Sequence, residues 1–205
     1  MSGSVVSLAR RRWQGTHTID PWGLDRELVS LVEPLASLRW DIRVDGADLL
    51  GARGPALLVF NRRFGVTEPL VLAAGIHRAT GRDVRLVGCP DVAPLATMLR
   101  RFGAVVAVPD EVAGLLRAGE VVAVAADRAP LRRSRAGAAP LALLEPALGL
   151  DVPVLPVAVR GRELGRRWQV SVGEPLPTPG GPAPLAEADL ADHARRGLQD
   201  LLDCG

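Results

Sequence analysis

The strongest constraint on this chain is a repeated alternation. A short aliphatic run is followed by a Gly- or Pro-marked turn and then by a segment with helical spacing. Ala56–Phe60 is an unbroken apolar run, as are most residues of 83–87, 104–108, 121–125 and 153–159. Continuous apolar runs suit strands covered on both faces, whereas one-sided strands alternate. Two shorter segments, 40–44 and 168–172, add strands at either end. Helical patterns fall at 69–78, 94–102, 110–118, 138–148 and 185–202. A first helix is expected to open at Asp20-Pro21, with Asp20 as N-cap and Pro21 at the first helical position. Leu24, Leu28, Leu31, Val32 and Leu35 would form its apolar face. Alternating strands and helices predict an α/β fold, a mostly parallel sheet with helices on both faces. No repeat or long linker divides the chain. The expected organisation is a basic, flexible leader over residues 1–20 and one α/β domain over 21–205.

Composition narrows the chemistry. Apolar residues make up 48% of the 205, enough to fill a core, while aromatics are 3% with no Tyr, so that core is aliphatic. Net charge is only +2 and every basic side chain is Arg. Without lysine, Schiff-base chemistry and a lysine-bearing phosphate loop are both excluded. Cys89 and Cys204 form neither a disulfide framework nor a zinc spacing, and a reducing cytoplasm is the default expectation. The start, MSGSVVSLARRRW, lacks a signal peptide's apolar stretch. The longest apolar candidate for a membrane span, 140–159, is interrupted by Glu145, Asp151 and four prolines. The chain is therefore expected in the cytoplasm, free or peripheral on the inner face of the membrane. Arg10–Arg12 with Trp13 and Trp22 read either as an interfacial anchor or as a plain flexible leader.

In open α/β sheets, ligands meet the carboxyl ends of the strands. Two loops are expected there, 61–69 and 127–135. Arg62 and Arg63 lie in the first, and Arg128, Arg132, Arg133 and Arg135 in the second. Converging guanidinium groups would bind phosphate bidentately, while unconverged ones are a solvated basic loop. Glu68 is a candidate partner for Arg62. Asp127 either orients an acceptor hydroxyl or caps a turn. The dinucleotide glycine pattern and the serine-hydrolase elbow are absent. His17, His77 and His193 form no metal spacing, and His77 reads as an ordinary helix residue.

The order of five segments resembles the lysophosphatidate and glycerol-phosphate acyltransferase family. LLVFNRRFGVTEP (57–69) resembles its first block, a buried strand with Asn, then His-x4-Asp. LRRFGAVVAV (99–108) resembles the second, and LRAGEVVAVAADRAPLRR (116–133) the third, where the family carries Pro-Glu-Gly-Thr-Arg. VPVLPV (152–157) resembles the fourth, and VSVGEPLP (170–177) the closing strand and turn. The resemblance spans about residues 35–178. It implies acyl transfer from a coenzyme A or acyl carrier protein thioester to a glycerolipid-type hydroxyl, with no bound cofactor or metal. In that chemistry the His is general base and the Asp orients it.

The reactive positions depart from the pattern. Arg62 stands at the His position, Thr67 at the Asp position with Glu68 beside it, and Ala126-Asp127-Arg128 in place of Pro-Glu-Gly. A guanidinium stays protonated and cannot act as a base. The resemblance therefore implies a retained fold with lost or altered catalysis, Asp127 being the candidate surviving carboxylate. Arg62, Arg63, Arg128, Arg132 and Arg133 are the candidate phosphate ligands. The expected partners are a lipid or acyl thioester. The alternative is a lipid- or partner-binding module without catalysis. Nucleic acid is not expected, because net charge is small and no aromatic platform accompanies the arginines.

Overall fold

The computed structural model describes residues 19–62, 67–88, 95–126, 136–137, 139–177 and 183–204. In chain order they form α1 (Arg26–Arg39), β1 (Asp41–Asp45), a 3-10 turn (Ala47–Leu50), β2 (Ala56–Phe60), α2 (Thr67–Thr80) and β3 (Val84–Val87). Next come α3 (Leu95–Arg101), β4 (Ala104–Val105), α4 (Pro109–Arg117), β5 (Val121–Ala125), α5 (Leu141–Gly149), β6 (Val154–Gly161), β7 (Arg167–Val172) and α6 (Ala183–Asp203). The sheet runs β1-β7-β6-β2-β5-β3-β4. All its pairs are parallel except β6–β7, so β7 and its neighbour β1 run against the rest. This is the mostly parallel α/β arrangement that the apolar runs predict.

Alternation along β2 explains the two-sided core. Leu57 and Val59 face α4, α5 and α6, meeting Leu115, Leu144 and Leu190. Leu58 and Phe60 face α2, meeting Val71, Leu72 and Ile76. Every β2 residue is buried, because strands flank it on both edges and helices cover both faces. Helix α2 lies close on the sheet because of Gly75, whose absent Cβ would come within 3.1 Å of Ile42 and 3.3 Å of Val44.

Several expected boundaries shift, each for a local reason. The first helix starts at Arg26, with Asp25 as N-cap accepting from the Leu28 N–H, and not at Pro21. Asp20 closes a turn instead. Its Oδ1 accepts from the N–H groups of Trp22 (3.0 Å) and Leu24 (2.9 Å), while its Oδ2 pairs with Arg85. The apolar stripe of α1 buries no residue, and Leu35 stays exposed. The strand expected over 104–108 ends at Val105. The Val106 N–H turns to the Glu111 carboxylate and Val108 becomes the N-cap of α4, so neither joins the ladder. The helix expected from 138 begins at Leu141, immediately after Pro140, its N-cap residue. Helix α2 starts two residues before the expected Pro69, at Thr67.

Candidate functional site

The carboxyl ends of β2, β5 and β3 define the candidate site. Beyond Phe60, the buried Asn61 extends the β2–β6 pairing with its side chain. Its Nδ2 donates to the Val159 carbonyl (2.9 Å) and its Oδ1 accepts from the Val159 N–H (2.6 Å). An amide side chain presents one donor and one acceptor, so it can replace a backbone rung where the chain leaves the sheet. This clamp fixes the start of the next residue.

That next residue is Arg62, half-buried at the mouth of the sheet. Its Nη1 lies 4.0 Å from where a Cβ on Gly88 would sit, so the side chain reaches across the end of β5 to the end of β3. Its Nε is buried without a hydrogen-bond partner. Burying a donor of a charged group without a partner is costly, which makes this nitrogen a place for an acceptor. Among the described residues, no ion pair joins Arg62 to Glu68, so the expected closure of the loop by that pair is not formed. Glu68 is buried in the first turn of α2.

Thr67 opens α2, and a residue far along the chain caps it. Glu163, in the loop between β6 and β7, accepts from the Thr67 N–H through Oε1 at 3.1 Å. The Thr67 hydroxyl donates to the same oxygen. A carboxylate at a helix N-terminus satisfies free N–H groups and complements the helix dipole. The hydroxyl at the expected Asp position is thus already engaged, and the nearby carboxylate comes from the hairpin. Sequence reasoning missed Glu163. Its only signal is a lone acid within the arginine-rich stretch 160–167.

Arg63, Asp127, Arg128, Arg132, Arg133 and Arg135 lie outside the described residues, as do Arg10–Arg12, Trp13 and Cys89. His77 stands at the far end of α2, 3.1 Å from Asp83 and away from the site. Among the described residues, no group of His, Cys, Asp and Glu could hold a metal ion. Within the same residues, no helix is long and apolar enough to cross a membrane.

No family model matches the sequence, and no curated protein matches it. The fold is similar to the crystal structure of the 1-acyl-sn-glycerophosphate (LPA) acyltransferase, PlsC, from Thermotoga maritima. The TM-score is 0.60 at 17% identity, over 86% of this chain and 80% of that one.

Proposed function

We propose that this chain is an acyltransferase-family protein whose acyl-transfer chemistry is lost or altered, and whose site recognises a phosphate-bearing glycerolipid. The observation that carries this reading is Arg62. It stands where the resemblance expects a general base, is fixed by the Asn61 clamp, and buries an Nε with no partner. A guanidinium there cannot accept a proton but suits a phosphate. The likeness of the fold to an LPA acyltransferase supports the substrate class. Thr67 supports the loss of the usual chemistry, since a hydroxyl committed to Glu163 cannot orient a base as the expected Asp would.

Losing a general base commonly costs about a hundred- to ten-thousand-fold in rate. The test is transfer from a labelled acyl thioester, on coenzyme A or acyl carrier protein, to lysophospholipid and glycerol-phosphate acceptors. The wild type is compared with an Arg62→Ala, Asp127→Ala double variant. The expected result is no transfer by either protein. Transfer that the double variant loses would show instead that an unusual site performs the chemistry.

A further inference from the structure

The loop between β6 and β7 carries a second feature that the Glu163 cap does not use. Leu164, at its tip, is 90% exposed, and the last turns of α1 hold Leu38 at 73% and Leu35 at 64%. Two reciprocal hydrogen bonds lock these elements together. Arg39 Nη1 donates to the Gly165 carbonyl (3.0 Å), and Arg166 Nη2 donates to the Leu38 carbonyl (3.1 Å). The exposed leucines therefore stand on segments tied to one another and not on separate loose ones.

The patch is basic. The hairpin holds an open depression of about 440 Å³ lined by Gly161, Gly165 and three arginines, Arg162, Arg166 and Arg167. Three acids belong to these segments, one of them Glu33, two residues before Leu35 on α1. Glu163 is turned inward to Thr67, and Asp41 is the register partner of Arg167 across β1–β7. Arg39, Arg162 and Arg166 have no carboxylate within ion-pair distance among the described residues. Two tryptophans form the base. Trp40 lies 5.9 Å beneath the Arg39 guanidinium, and Trp168 donates its indole N–H to the Gly165 carbonyl at 3.2 Å.

Exposed leucines and arginines with apolar stems are side chains that settle at a bilayer interface, while the two tryptophans belong to the core that supports them. An acidic protein surface would match the arginines but would leave three exposed leucines unused. We infer that the β6–β7 hairpin and the last turns of α1 form a docking surface for an anionic phospholipid bilayer. This deepens the proposed function and rests on it for the class of partner. Because Glu163 ties the hairpin to the start of α2, docking there would hold the mouth of the sheet beside the headgroups.

The test is co-sedimentation with phosphatidylcholine vesicles, with and without phosphatidylglycerol, at low and high salt. The proteins are the wild type and an Arg162→Gln, Leu164→Ser double variant. Both hairpin changes are at exposed positions, and circular dichroism confirms that the variant is folded. The wild type is expected to bind the anionic vesicles, more weakly at high salt, and not the neutral ones. An arginine near an anionic surface is worth about fivefold in affinity, and a leucine leaving the acyl boundary adds to that, so the double variant should lose about tenfold or more. The inference is overturned by unchanged binding in the folded double variant, by equal binding to neutral vesicles, or by no binding in the wild type. Titration with soluble glycerol 3-phosphate reads the Arg62 site separately. If that titration fails while vesicle binding still depends on the hairpin, the phosphate site falls and the docking surface stands.

Discussion

Thr67 and Glu163 show how a change at one residue alters what its neighbours can do. The Thr67 hydroxyl and N–H both meet one oxygen of Glu163. An aspartate at position 67, the residue type of the acyltransferase pattern, would place a second carboxylate against that oxygen. Like charges so close destabilise each other unless one takes a proton. Thr67→Asp is therefore expected to lower stability by about 1–3 kcal/mol, with Glu163→Gln in the same chain recovering part of the loss. A double-mutant cycle by urea unfolding checks this, and additive losses would contradict it.

The β6–β7 hairpin is the element on which the site and the proposed docking surface both depend. Its geometry rests on Gly161, opposite Trp168 in the antiparallel register. A Cβ at Gly161 would fall 2.3 Å from atoms of the Trp168 ring, so the ring covers the space that a side chain would occupy. Gly161→Ala is expected to displace the buried indole, cost about 1–3 kcal/mol and loosen the Thr67 cap. Tryptophan emission shifted to the red, with a lower urea midpoint, would show it; an unchanged midpoint would contradict it. Five of the seven strands were legible in the sequence because largely unbroken apolar runs declare burial on both faces, and β1 and β7 as shorter segments at 40–44 and 168–172. The Asn61 and Arg62 positions were legible because they directly follow one such run. What escaped depends on contacts distant in sequence. Glu163 caps a helix 96 positions away, and Asp20 abandons the expected cap for Arg85 on β3. Local capping preferences carry no information about such partners.

Across the whole molecule, the two edges of the sheet have different tasks. The carboxyl edge holds Arg62, and the amino edge is closed by buried charge. Arg85, fully buried on β3, donates to Asp20 and, at 3.1 Å, to Glu120, while Arg26 bridges Asp83 and Glu120. Burial alone would raise the pKa of Asp20. The hydrogen bonds and charge of Arg85, with the N–H groups of Leu24 and Trp22, outweigh burial and hold it below its usual value. A lowered carboxylate pKa contributes stability above about pH 3.9, lost as pH falls through the folded-state value. Asp20→Asn should therefore be less stable than the wild type at neutral pH by about 1–3 kcal/mol. The gap should narrow in acid below pH about 3.9, and a gap independent of pH would contradict the pairing.

The central claim, that the site binds phosphate through Arg62 in place of acting as a base, is tested most directly by calorimetric titration. The titrant is a short-chain, soluble lysophosphatidate, added to the wild type and to Arg62→Ala. Charge-assisted hydrogen bonds contribute about 1.5–3 kcal/mol each, so the variant is expected to bind about ten- to a hundredfold more weakly while remaining folded. Equal affinity in the two proteins, or no binding by the wild type, would contradict the account.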